Sequence, residues 1–253
     1  MKLLSSLFRS RSPRAFALPP DVRAIAVGDV HGRRDLLVRL LNEIDALRTA
    51  DPRRDDHLVF LGDLIDRGPD SRGVLDLLVA RRASDPGLTI LAGNHEEMLL
   101  AILDGASEHL GEWLRFGGQE CIESYGLSAA DLMATTPEEA VERLRDAIPE
   151  PHVALMREMR DTVALGDYLF VHAGIRPGVA IEDQQAQDLR WIRAPFLTSR
   201  ADHGVMVVHG HSISEAPEER PNRIGIDTGA YASGRLTALC IDGDARRFLA
   251  VSS

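Results

Sequence analysis

Short apolar runs alternate with amphipathic stretches over the first hundred residues. Ala24-Ile-Ala-Val27, Leu58-Val-Phe-Leu61 and Leu88-Thr-Ile-Leu-Ala92 read as buried strands. Leu36, Leu37, Leu40, Leu41, Ile44 and Leu47 keep the i, i+3, i+4 rhythm with charges between them, which predicts a helix after the first strand. Val74, Leu75, Leu77 and Leu78 predict a second, opened by the turn Gly68-Pro69-Asp70-Ser71 and stopped by Asp85-Pro86-Gly87. Glu97-Met-Leu-Leu-Ala-Ile-Leu103 starts a third. Strand and helix in alternation predict an α/β fold, and crossover connections keep such strands parallel.

Residues 104–160 break this pattern. Asp104-Gly105 and Gly117-Gly118 punctuate amphipathic pieces, and Thr136-Pro137 reads as an N-cap followed by proline at the first helical position. A helical insertion beside the sheet edge is expected, shaping access to it or only covering apolar surface. Strands resume at 161–165 and 168–171, joined by the hairpin signal Gly166-Asp167. Val205-Met-Val-Val208 is another buried strand, and 223–227, 235–241 and 246–251 read as strands to the end, with Gly243 in the last turn.

Each early strand runs into a polar cluster. Gly28-Asp29-Val30-His31-Gly32, Gly62-Asp63-Leu64-Ile65-Asp66-Arg67-Gly68 and Gly93-Asn94-His95-Glu96 follow the first three strands. Asp29, Asp63 and Asn94 are roughly 30 residues apart, the length of one βαβ unit, so the three clusters should meet at one sheet edge, where open α/β sheets bind ligands. Later strands end in His172-Ala173-Gly174 and His209-Gly210-His211-Ser212. Asp29, His31, Asp63, Asn94, His172 and one of His209 and His211 form a mixed nitrogen and oxygen set without thiolate. That is too many donors for one tetrahedral zinc and suits two metals of higher coordination. Two ions about 3.5–4 Å apart are an arrangement for hydrolysing phosphate esters. Taken singly, Asp29 or Asp63 could be a helix cap, Asn94 a turn residue and either late histidine a packed core residue. Five strand ends carrying such groups beside glycine or alanine favour a shared metal site. His57, His109, His152 and His203 lie beside polar or loop residues and are read as structural.

Composition narrows the setting. The chain has 253 residues and a net charge of −10, which argues against a nucleic-acid-binding surface as its main business. No apolar run approaches a membrane span. Cys121 and Cys240 lack metal spacing and read as free thiols in a reducing compartment, the cytoplasm. Residues 1–20 carry Lys2, Arg9, Arg11 and Arg14 without the long apolar core of a signal peptide, and are expected to be a flexible basic tail before one domain at 21–253. Lys2 is the only lysine, and this arginine bias suggests a GC-rich bacterial genome.

In this order the motifs Gly-Asp-Val-His-Gly, Gly-Asp-Leu-Ile-Asp-Arg-Gly, Gly-Asn-His-Glu, His-Ala-Gly and Gly-His-Ser resemble those of the calcineurin-like metallophosphoesterases. The Asp-Arg-Gly and His-Glu forms resemble more narrowly the bacterial members of the phosphoprotein phosphatase family of serine/threonine phosphatases. The resemblance covers about residues 22–250. It implies a β-sandwich flanked by helices, with one metal held by Asp29, His31 and Asp63 and a second by Asp63, Asn94, His172 and His211. It further implies that Arg67 and Asn94 hold the phosphate and that His95, paired with Asp66, donates the proton. A further phosphate arginine is expected between the last two motifs: Arg193, with Arg190 as the alternative. Manganese suits the hard mixed donors, and iron and zinc also fit.

The chemistry supports these roles independently. A serine alkoxide is a poor leaving group, so a general acid is worth having. Arg67 offers a planar fork for two phosphate oxygens. The leading expectation is a phosphatase for phosphoserine or phosphothreonine in proteins. The alternative is a symmetrical dinucleoside polyphosphate hydrolase; the resemblance favours the first, since the symmetrical diadenosine tetraphosphatases commonly vary at the position of Asp66 in the Asp-Arg-Gly motif. A catalytically dead binding module would require a lost ligand, and none is missing.

Overall fold

The apolar runs pair in two sheets rather than one. The computed structural model describes residues 16–53 and 55–253. In the first sheet β1 (Val22–Val27), β2 (Asp55–Phe60) and β3 (Leu88–Ile90) run parallel, linked through α1 (Arg34–Ala50) and α2 (Ser71–Arg82). The C-terminal hairpin, β9 (Arg235–Asp242) and β10 (Ala245–Ser252), extends this sheet antiparallel beside β1, giving the order β10-β9-β1-β2-β3. The second sheet has the order β4-β5-β6-β8-β7, from β4 (Thr162–Leu165), β5 (Tyr168–Val171), β6 (Met206–His209), β7 (Glu218–Arg220) and β8 (Arg223–Gly225). Its three central strands, β5, β6 and β8, are also parallel. The late strands expected from the pattern are therefore divided between the sheets.

Strand alternation decides which faces meet. Ala24, Ala26, Val59, Leu61, Tyr168, Phe170, Val208, Ile224, Leu239 and Ile241 fill the space between the sheets. Their neighbours Ile25, Val27, Leu58 and Phe60 face the helices, where the predicted stripe Leu36, Leu37, Leu40, Leu41 and Ile44 of α1 covers them. Leu169, Val171 and Val207 face outward beneath Leu189, Ile192 and Phe196, next to α9 (Ala186–Trp191).

The insertion is helical as expected. After α3 (Asn94–Leu103) come α4 (Leu110–Trp113), a wide turn over Leu114–Gly118, α5 (Gln119–Ser124), α6 (Ala129–Met133), α7 (Pro137–Ala147) and α8 (Glu150–Arg157). Thr136 caps α7 with a reciprocal bond from Glu139, and Pro137 takes its first position. A short helix, α10 (Ala230–Ser233), precedes β9.

The N-terminal expectation needs correction at its end. Residues 1–15 lie outside the described residues. Phe16 and Leu18 are buried between the sheets, and Leu18 N–H donates to the Gly243 carbonyl. Burying two such side chains contributes roughly 3–6 kcal/mol before entropy is counted, so Phe16 and Leu18 belong to the packed domain and not to a tail that ends at residue 20. Asp29 and Asp63 are not helix caps: Arg33 precedes α1, and Asp70 caps α2 by accepting from Gly73 N–H.

Candidate metal centre and catalytic site

The C-terminal ends of six parallel strands, three from each sheet, open toward one another. Asp29 follows β1, Asp63 follows β2 and Asn94 opens α3 after β3. His172, His211 and Asp227 follow β5, β6 and β8. All six are buried. The first sheet thus brings the acids and amide, and the second brings two imidazoles and a further acid.

Asp63 lies at the middle. Its Oδ2 is 3.4 Å from His172 Nε2, 3.6 Å from His31 Nε2 and 3.9 Å from His95 Nε2. Asn94 Oδ1 is 3.1 Å from His172 Nε2. Two donor groups share Asp63: His31, Asp63 and His95 in one, Asp63, His172 and His211 in the other, each with ligand atoms within 4.8 Å. Asp29 is in neither. Its Oδ2 accepts from His211 N–H at 2.9 Å and its Oδ1 is buried without a partner, as is His211 Nε2.

Backbone carbonyls fix the rings. His31 Nδ1 lies 2.8 Å from the Ile65 carbonyl and His172 Nδ1 lies 2.8 Å from that of Leu61, so each Nδ1 donates. Burial disfavours charge on His172, but its Nε2 faces Asn94 Oδ1 and Asp63 Oδ2, and Asp63 outweighs burial and raises its proton affinity. Burial pushes His31 and His211 down to about 3, which holds both imidazoles neutral. Burial also opposes charge on Asp63, but His172 and His95, whose proton affinity Asp63 in turn raises, outweigh it and hold the carboxyl well below its usual range. Burial, reinforced by Asp227 and Asp63, pushes Asp29 well above that range. Crowded buried carboxylates, neutral imidazoles and two orphaned donor atoms are what a pair of cations relieves. The residues fit the two metals that the motifs imply.

Among the described non-glycine residues, positive φ occurs at Asp21, His31, Asp63, Asp66, Arg67 and His211, and five of these six belong to the site. Each costs of order 1–3 kcal/mol and persists because the surroundings over-determine it. Glu96 is the main brace. Its buried carboxylate accepts from the N–H groups of Asp63, Leu64, Ile65 and Gly93 at 2.7–3.3 Å. Gly210 is forced by close approach, since a Cβ there would lie 2.0 Å from Asp29 Oδ1.

Around this centre, His95 Nδ1 meets Asp66 Oδ2 at 2.6 Å. Burial disfavours charge on His95, but Asp63 and Asp66 outweigh it and raise its proton affinity. Arg67 NH1 reaches His31 Nε2 at 2.9 Å, and its guanidinium lies over the Tyr231 ring. A cavity of about 320 Å³ is lined by Arg67, Asn94, His95, Arg193 and His211, with Phe116 and Trp191 on its wall. Arg193 is exposed there, whereas Arg190 is tied to Glu97 and Asp161. His209 packs edge-on against Phe196, away from both donor groups. His57, His109 and His203 stay apart. His152 is buried between the Tyr125 hydroxyl and Asp76, a staple within the helical layer.

Sequence reasoning gave no role to Asp227, Glu96 or Trp113. For Asp227 a signal existed: an acid ending an apolar run before Thr228-Gly229, as at the other strand ends. Burial pushes it up to about 6.

Two parallel-centred sheets with these donors at their joined ends define a class, and comparison with known proteins agrees. Residues 22–236 match the family described as calcineurin-like phosphoesterase. The chain belongs to that family and is a metallophosphoesterase, a hydrolase. It is 32% identical to serine/threonine-protein phosphatase 1 of Salmonella typhimurium over 219 residues, 83% of this chain and 88% of that protein. It is 37% identical to the symmetrical bis(5'-nucleosyl)-tetraphosphatase of Legionella pneumophila over 108 residues, 36% of each. The solved structure of a candidate diadenosine tetraphosphatase shares the fold with a TM-score of 0.62, at 23% identity, over 93% of this chain and 98% of that one. Among the described residues no helix is long and apolar enough to cross a membrane.

Proposed function

We propose that this metallophosphoesterase removes phosphate from phosphoserine and phosphothreonine in proteins. The observation that carries the reading is the His95–Asp66 pair at 2.6 Å on the edge of the cavity. An alkoxide leaving group needs a proton, and a buried imidazole held by a carboxylate supplies it. The likeness to a serine/threonine-protein phosphatase over 83% of this chain supports the same substrate class.

Asp29, His31 and Asp63 would hold one divalent ion and Asp63, Asn94, His172 and His211 the other, with manganese preferred. When bound, such ions supply an acidified water and neutralise phosphate charge. The chain's own groups do the rest. Arg67 and Arg193 grip the non-bridging phosphate oxygens, and Asn94 orients the phosphate. Water attacks phosphorus opposite the serine oxygen, the phosphorus–oxygen bond to serine breaks, and His95 Nε2 gives its proton to the departing oxygen. Asp66 keeps the ring oriented throughout.

The test is a comparison of kcat/KM on a phosphoserine peptide and on diadenosine tetraphosphate, with manganese. Preference for the peptide is expected. Preference for the dinucleotide would transfer the chain to the activity named for its Legionella relative.

A further inference from the structure

Asp66 has a second donor that the mechanism above does not use. Trp113 Nε1 donates to Asp66 Oδ2 at 2.8 Å, the oxygen that His95 Nδ1 meets at 2.6 Å. Asp66 is wholly buried, Trp113 is 2% exposed, and Asp66 Oδ1 accepts from no N–H or O–H group; the buried Cys121 thiol lies beside the carboxylate. Two N–H groups on one oxygen therefore orient this carboxylate. Packing alone does not ask for an indole N–H at that spot, because a phenyl ring fills most of the same space.

We propose that Trp113 is a positioning residue for the acid pair, acting through Asp66. The inference rests on the reading of His95 as the general acid. The indole N–H occupies one lone-pair direction of Oδ2 and leaves the other for His95 Nδ1, so the ring keeps its Nε2 edge toward the cavity. The surrounding turn is built around this contact. A Cβ on Gly118 would lie 2.4–2.9 Å from three indole carbons, although its φ of −65° suits any residue. The indole, not the backbone, demands glycine there. The same turn also holds Arg67, whose N–H donates to the Gly117 carbonyl at 2.9 Å and whose Nε donates to that of Phe116 at 3.4 Å. The helical insertion thus braces both Asp66 and Arg67, neighbours in one motif.

The experiment measures kcat and KM on a phosphoserine peptide and on p-nitrophenyl phosphate, whose leaving group needs no proton. The manganese-loaded wild type is compared with Trp113→Phe, Asp66→Asn, the double variant, Gly118→Ala and His95→Asn, with bound metal and thermal unfolding recorded for each. Trp113→Phe is expected to lower the peptide-to-nitrophenyl ratio of kcat by at least about tenfold, the lower end for one hydrogen bond to a charged group; because Trp113 also lines the cavity, the ratio of kcat and not KM is the readout. Gly118→Ala, which shifts the ring without removing it, lowers the ratio in the same direction. In the Asp66→Asn background Trp113→Phe produces no further fall, because the two act as one unit. An unmoved ratio in both Trp113→Phe and Gly118→Ala, with a lowered ratio in His95→Asn, overturns the proposal while leaving the acid in place. An equal additional fall in the double variant also overturns it, since Trp113 would then act elsewhere. An unmoved ratio in His95→Asn removes the acid reading, and this inference with it.

Discussion

Replacing Glu96 by glutamine tests how the site is held rather than how it reacts. The carboxylate divides four backbone N–H groups between its oxygens. Oε2 takes those of Asp63 at 3.0 Å and Gly93 at 3.1 Å, and Oε1 takes those of Leu64 at 2.7 Å and Ile65 at 3.3 Å. An amide has one oxygen. Whichever way it turns, its NH2 group faces two N–H donors. A net hydrogen bond to a charged group contributes about 1.5–3 kcal/mol, so two lost bonds cost about 3–6 kcal/mol. A chain of this size loses roughly 2–4 °C of Tm per kcal/mol. Burial, reinforced by Asp63, pushes Glu96 up to about 7, so the comparison belongs well above that pH, where the carboxyl is ionised; there Glu96→Gln should melt at least about 6 °C below wild type in metal-free buffer. The orphaned groups adjoin Asp63 and Asn94, so metal affinity should fall about 10–100-fold, the range seen when outer supports of a metal site are removed. Thermal unfolding and a manganese titration measure the two effects. A Tm within about 2 °C of wild type, less than one such bond is worth, with unaltered affinity would refute the reasoning: the four N–H groups would have found other acceptors.

Asp63→Asn should weaken both metal sites together and nearly abolish turnover; two retained ions with near-normal rate would sink the shared-ligand assignment. His211→Ala should lose metal far more than His209→Ala in a metal titration, and the reverse order would reassign the ligand to His209. His95→Asn should cut the rate on a phosphoserine peptide by about 10²–10⁴-fold and that on nitrophenyl phosphate much less, with metal content unchanged; equal losses would falsify the acid role. Arg193→Ala should raise KM for the phosphopeptide with little change in stability. Arg190→Ala should instead lower Tm, because Arg190 links Glu97 to Asp161, and a larger KM effect from Arg190 would exchange the two.

Local rules carried the reading of the first hundred residues a long way. The apolar stripe of α1 and the glycine-flanked acids after β1 and β2 sit where periodicity and turn chemistry put them. What stayed illegible depends on distant partners. Glu219 and Arg220 of β7 are exposed at a sheet edge, so no apolar alternation marks that strand. The strand at 223–225 reads like those at 235–242 and 245–252, and only its pairing with β6 assigns it to the other sheet. Arg190 and Arg193 lie three positions apart, and the ion pairs made by the first are set by α3 and by the segment before β4. Trp113 looks like any core aromatic until Asp66 is found beneath its N–H. Glu96 looks like an exposed first-turn acid until the loop after β2 closes over it.

The interleaving of the two sheets bears on the order in which this protein can mature. β1, β2 and β3 are made early, yet β9 and β10, which pair beside β1, are made after the whole of the second sheet. The second sheet, with His172 and His211, is made between them. A chain still under synthesis at residue 200 has Asp29, His31, Asp63 and Asn94 but lacks His211 and the flanking strand for β1. A chain of that length cannot present the donor group of Asp63, His172 and His211. Metal uptake followed on nascent chains of increasing length is expected to step up only once His211 has cleared the ribosome.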